Sequence, residues 1–185
     1  MPIRGRIELI LGPMFAGKST ELLRRMRRLE ISGKSILSVK YEADTRYKSD
    51  SISTHDNIVR AAVPCKMLSE LNEIWRNYDV IGIDEGQFFE DIVHFSEQAA
   101  NNGKIVILSA LNGTYKRQGW SNVLELVPKC EKVKKLSAIC KMCPYNADFT
   151  FRHVFSVEPE EFIGGAELYM PLCRDCYNQK SLMHC

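Results

Sequence analysis

Eight consecutive residues, Gly12-Pro13-Met14-Phe15-Ala16-Gly17-Lys18-Ser19, follow a short apolar run, Ile7-Glu8-Leu9-Ile10-Leu11, and lead into a stretch of helical periodicity. The pattern G-x-x-x-x-G-K-[ST] in this setting predicts a phosphate-binding loop between a buried strand and a helix. Its glycines let backbone N–H groups turn inward around a phosphate. The helix that starts near Lys18 adds about half a positive charge from its unpaired N-terminal donors. Lys18 has the reach for β- and γ-phosphates, the Ser19 hydroxyl suits Mg²⁺, and Thr20 stands next for an α-phosphate.

The rest of the layout agrees with an α/β chain. Leu22, Leu23, Met26 and Leu29 give the first helix an apolar face, Arg24, Arg25, Arg27 and Arg28 give it a solvated one, and Gly33 ends it. Ser35 to Val39 reads as a second strand, Val80 to Glu85 as a third and Ile105 to Leu108, reaching Ala110, as a fourth. Helices are expected over Ser69 to Tyr78 and Asp91 to Ala100, and a loop or hairpin over the polar stretch Glu42 to Asn57. Strands and helices in this alternation predict a parallel sheet with right-handed crossovers.

The third strand ends in two acids. Asp84 suits the Mg²⁺ contact that such loops need. Glu85 projects differently, because side chains alternate along a strand, and is available to take a proton. Spacing leaves open whether that proton comes from water, as in a motor ATPase, or from a substrate hydroxyl, as in a kinase.

After about Lys135 the alternation stops. Cys140-Lys141-Met142-Cys143 and Cys173-Arg174-Asp175-Cys176 are two Cys-x-x-Cys knuckles, enough for a closed tetrahedral Zn²⁺ site. Two disulfides or unrelated thiols are the competing readings. No apolar run reaches the ~18 residues of a membrane helix, and no signal peptide is readable, so a cytoplasmic, reducing setting is expected and metal is favoured. Cys65, Cys130 and Cys185 have no partner pattern and read as core or free thiols. Lys plus Arg is 25 against 23 Asp plus Glu, a net charge of +2, which offers no basic surface for nucleic acid and no attraction to a membrane. Two non-kinase readings stay open on these residues: a motor or recombination-type ATPase with a zinc-ribbon DNA-binding module, and a zinc-held interaction domain with a vestigial loop.

Several stretches together resemble the type II thymidine kinase family, the zinc-containing cellular and poxviral kind. They are Gly12 to Thr20, Asp44-Thr45-Arg46-Tyr47, Ile81-Gly82-Ile83-Asp84-Glu85-Gly86-Gln87-Phe88-Phe89, Ala110-Leu111-Asn112-Gly113-Thr114-Tyr115 and Ile163-Gly164-Gly165-Ala166. The resemblance runs from about Ile7 to Tyr177. It implies a parallel-sheet P-loop (RecA-like) core over residues 1–135 and a small zinc-binding lasso subdomain over residues 136–185. It also implies transfer of the γ-phosphoryl of ATP to the 5′-hydroxyl of thymidine, with ATP, Mg²⁺ and structural Zn²⁺ as cofactors.

By the same resemblance Glu85 is the base, Asp84 holds Mg²⁺ through water, and Asp44 and Arg46 help arrange metal and phosphates. Glu160, Glu161, Phe162, Ile163, Gly164 and Tyr169 fall in the lasso that closes over the base. Met14, Phe88, Leu111, Tyr115, Trp120 and Thr150 map to the pocket. A homotetramer and feedback inhibition by thymidine triphosphate are implied as well. The chain departs from the family at Ala16, where Ser is common, at Tyr115 and Trp120, where Phe is commoner, and at Cys176, where some members use His.

Overall fold

The computed structural model describes residues 4–43, 51–53, 59–153 and 164–182. β1 (Arg6–Gly12), α1 (Lys18–Ile31) and β2 (Ile36–Tyr41) open the chain, followed by a hairpin of β3 (Ser51–Ser53) and β4 (Val59–Ala61) and then by β5 (Val63–Cys65). β6 (Val80–Ile83), α2 (Ile92–Asn101), β7 (Ile105–Leu111), α3 (Ser121–Leu126) and β8 (Lys132–Lys135) complete the core. Six strands form one sheet in the order β5-β2-β6-β7-β1-β8, and every neighbouring pair is parallel. The four expected strands are its interior.

The two edge strands are additions to the expected four. β5 contains Pro64, which cannot donate to a ladder, and all four residues of β8, Lys132 to Lys135, are exposed. Proline and lysine both blunt a sheet edge, and neither writes an apolar strand pattern into the sequence.

Alternation along β7 shows how the sheet is covered. Val106, Leu108 and Ala110 pack with Trp75, Phe89, Phe95 and Val123 on one face, while Ile105 and Ile107 pack with Leu22, Leu23 and Met26 of α1 on the other. Each fully buried Leu or Ile contributes about 1.5–3 kcal/mol, so this two-sided burial is what fixes the register. Gly82 is required at the contact with α1: a Cβ there would lie 1.9 Å from the Met26 sulfur.

Two sequence expectations change, and a third is met. The helix expected over Ser69 to Tyr78 is two short 3₁₀ turns, Leu68–Leu71 and Ile74–Asn77, separated at Asn72, whose φ of 46° breaks any continuous helix. Arg25 is not on the solvated face of α1. It is buried and donates to Glu8 of β1 at 2.9 Å and to Glu21 at 3.0 Å. The charge of Glu8, which Arg6 of the same strand also meets, is thereby paired, as a buried charge must be. The hairpin allowed for the polar stretch is present: Ser51–Ser53 pairs with Val59–Ala61, and Arg60 ties it to Glu30 and Ser38.

Beyond the sheet lie β9 (Ala138–Ile139), β10 (Asn146–Ala147), β11 (Phe149–Arg152), β12 (Tyr169–Leu172) and α4 (Arg174–Leu182). β9 pairs with β10 and β11 with β12, both antiparallel. Their own small core is Ala138, Ala147, Phe151, Leu172 and Tyr177 together with two of the cysteines. Among the described residues no helix is long and apolar enough to cross a membrane.

Candidate active site

The loop after β1 is shaped by two left-handed residues, Phe15 at φ 65° and Gly17 at φ 74°. Alternating hand along the chain turns successive N–H groups inward, the geometry of an anion nest. Lys18 folds back under the loop, its ammonium donating to the Pro13 carbonyl at 2.9 Å. The side chains of Phe15 and Ala16 point away from that cradle and pack against the cysteine-region core. Backbone, not side chain, is what this loop offers a phosphate.

β7 lies between β1 and β6, and the acids at the end of β6 therefore face the loop across Ser109. The Ser109 hydroxyl donates to Asp84, and the Ser19 hydroxyl also bonds that carboxylate. Asp84 is buried, and burial raises its pKa above the ordinary carboxylate range. The charge of Glu85 adds to the rise, while the Ser109 and Ser19 hydroxyls and Lys18 oppose it. A cation ligated at Ser19 would remove that strain, and hydroxyl plus carboxylate is an all-oxygen donor set of the kind Mg²⁺ takes.

Glu85 occupies the left-handed region at φ 54°, a strained position for a residue with a side chain. Its backbone N–H donates to Asp84 at 3.1 Å. Its carboxylate accepts from the Gln87 side-chain amide at 2.6 Å, and the other end of that amide accepts from the Leu111 N–H at 3.0 Å. Asn122 of α3 holds the same turn by donating to the carbonyls of Gln87 and Phe89.

The expected pocket residues fall into two groups. Phe88 stacks on Tyr41 at 5.2 Å between centroids and meets Trp120 edge-on at 5.7 Å. Thr150 and Arg152 share one face of β11. The Thr150 hydroxyl accepts from the Met14 N–H of the loop at 3.0 Å, and the Arg152 guanidinium lies over the Tyr115 ring at 5.4 Å. Tyr169 is buried opposite Arg152 in the β11–β12 ladder, and burial raises its phenol pKa. Gly164 is buried at the start of the segment leading to β12. Asp44, Arg46, Glu160, Glu161, Phe162 and Ile163 lie outside the described residues, as does Cys185.

Tyr41, Gln87, Ser109, Asn122 and Arg152 were not among the residues the sequence singled out. None belongs to a nucleotide or metal signature by type. Gln87 carried one usable signal: it sits two positions after the acid in a turn whose geometry the chain must fix.

The four knuckle cysteines converge. Their sulfurs all lie within 4.8 Å of one another, with Cys143–Cys173 at 3.6 Å and Cys143–Cys176 at 3.7 Å. Four sulfurs about 2.3 Å from a tetrahedral zinc sit roughly 3.8 Å apart, so the set fits that ion. Burial acts to raise the Cys140 thiol, but the N–H groups of Cys173 and Met142, the Cys143 thiol and the Cys143 N–H outweigh it and bring the pKa to about 6. Among the described residues this is the one such cluster. The region grips the rest of the molecule through Thr150, through the Tyr177 hydroxyl donating to the Tyr115 carbonyl, and through Asn112 donating to the Asp148 carbonyl.

Comparison with known proteins agrees with this geometry. The profile of the family described as thymidine kinase matches residues 5–177. The chain is 49% identical over 181 residues to thymidine kinase 1 of Dictyostelium discoideum, covering 95% of this chain and 79% of that protein. It is 50% identical over 179 residues to the cytosolic thymidine kinase of Cricetulus griseus, covering 96% and 75%. It is 48% identical over 173 residues to the thymidine kinase of Myxoma virus (strain Lausanne), covering 94% and 96%.

Proposed function

The chain belongs to the thymidine kinase family, and from that premise we propose how its residues transfer the γ-phosphoryl of ATP to the 5′-hydroxyl of thymidine. The observation that carries the reading is the meeting of the Gly12–Ser19 loop with Asp84, one residue before a Glu85 held at φ 54°. The loop N–H groups and Lys18 hold the triphosphate and neutralise charge on its β- and γ-oxygens. Glu85 accepts the proton of the 5′-hydroxyl as that oxygen bonds to the γ-phosphorus. The bond from phosphorus to the β,γ-bridging oxygen breaks, and ADP leaves. Positioning supplies most of the rate, since a phosphoryl group needs little covalent help.

Mg²⁺, held by Ser19 directly and by Asp84 through water, would screen the phosphate oxygens. Asp44 and Arg46 would assist there. Zn²⁺ on Cys140, Cys143, Cys173 and Cys176 would anchor the segment between the knuckles at both ends. Residues Glu160 to Gly164, with Tyr169, would close over the base and exclude water that competes as acceptor. Met14, Phe88, Leu111, Tyr115, Trp120 and Thr150 would line the nucleoside pocket. A division near residue 135 into nucleotide-binding core and zinc-held lid belongs to the same proposal. So do a homotetramer, inhibition by thymidine triphosphate, and a cytoplasmic address, which the name of the hamster relative supports.

The test is ADP release by purified protein across a panel of nucleosides, with and without DNA. ADP that appears only with thymidine or a close pyrimidine analogue, and is indifferent to DNA, is the expected result. Hydrolysis stimulated by DNA and blind to nucleoside would replace the kinase with a motor.

A further inference from the structure

Gln87 is buried, 3% exposed, in the turn that follows Glu85. Its amide spans two elements. The Leu111 N–H of β7 can only donate, so the end facing it must be Oε1, and Nε2 is thereby aimed at the Glu85 carboxylate, 2.6 Å away. The amide has no freedom to flip. Asn122 fixes the Gln87 carbonyl from the side of α3. Gly86 is wedged so closely that a Cβ would lie 2.8 Å from Ile92 Cδ1 and 3.3 Å from the Ser109 carbonyl.

Glu85 meanwhile sits in a strained left-handed backbone conformation beside the like charge of Asp84. We propose that Gln87 is a positioning residue for catalysis: it holds the Glu85 carboxylate in the orientation that accepts a proton, using β7 as the fixed support. The inference rests on the reading of Glu85 as the base. It assigns Gln87 no contact with either substrate.

The test uses two variants of the full chain, with ATP and thymidine varied in turn and thermal stability measured alongside. Gln87→Met keeps the volume and loses both polar ends. Gln87→Glu keeps the acceptor for Leu111 N–H but can donate to Glu85 only while protonated. The charged neighbours are Asp84 and, acting on Asp84, Lys18, whereas Leu111 and Asn122 face the turn uncharged.

Gln87→Met is expected to lose about tenfold to a hundredfold in kcat, with both KM values within about twofold of the parent, because only the proton transfer is disturbed. In Gln87→Glu the ratio of its kcat to that of the parent should fall as pH rises, whereas a packing role would leave the ratio flat. Parent-like kcat in Gln87→Met, a flat ratio in Gln87→Glu, or failure of both variants to fold overturns the proposal. An unmodified protein that makes no ADP with thymidine would instead overturn the kinase reading itself.

Discussion

The phosphate-binding loop and the four-cysteine cluster are in contact, yet they keep their shapes by different physics. β1 is paired on both sides and buried on both faces, so the loop after it emerges from the stiffest part of the molecule. The cysteine region rests on strands of two and four residues and a small core of its own. Strand pairs that short are marginal in water without further support. Four converging sulfurs could hold a metal ion that supplies the support apolar area does not. A rigid half can hold the α- and β-phosphates, which stay in place while the γ-phosphoryl passes to the acceptor. On the proposed function, zinc clips the other half and holds the segment between the knuckles at both ends. The site lies on the seam, where Thr150 of one half accepts from Met14 of the other.

Removal of metal should divide the halves most sharply. Structural zinc contributes about 10–16 kcal/mol of apparent free energy in small zinc modules. A strong chelator, or Cys143→Ser, should therefore free the amides of residues 138–152 and 169–182 to exchange with deuterium while β1 and β7 stay protected. Loss of protection across the whole sheet at the same rate would mean that the chain unfolds as one unit and the contrast is false.

Thr150→Val comes next. It leaves the buried Met14 N–H without its acceptor, which costs about 1–3 kcal/mol. A chain of this size should then lose about 2–4 °C in melting temperature per kcal/mol, and its KM for ATP should rise. An unchanged KM would show that the halves touch without communicating.

Last is an alkaline effect that two thiols of the sheet half contribute. Burial pushes the thiols of Cys65 and Cys130 from 9.0 up to about 12. Their neutral forms therefore favour the folded state in full below pH 9. That contribution fades as pH rises from about 9 toward 12, because the unfolded chain loses its protons first. A decline in denaturant midpoint over that window, reduced in the Cys65→Ala, Cys130→Ala pair, is the expected outcome.

Legibility in the sequence followed the same divide. The loop, the four interior strands and the knuckles each carry a local pattern with a physical reason, and residue types alone sufficed to read them. β5 and β8 could not be read because an edge strand needs no apolar alternation, and Lys132-Val133-Lys134-Lys135 has none. The break at Asn72 is a backbone event that no periodicity announces. Arg25 looked solvated because its partner, Glu8, comes from a strand that folding brings beneath it. Gln87 stood inside a quoted stretch without a role of its own for a related reason: its importance lies in what its two ends reach, and an amide advertises neither charge nor metal.

Turnover of Glu85→Gln with saturating ATP and thymidine, measured beside its affinity for ATP, bears hardest on the mechanism. The amide keeps the size of the side chain and cannot take the proton. We expect kcat to fall by at least about a hundredfold, the scale of a lost general base, with ATP bound as tightly as by the parent. Parent-like turnover would contradict the mechanism and remove Glu85 from it.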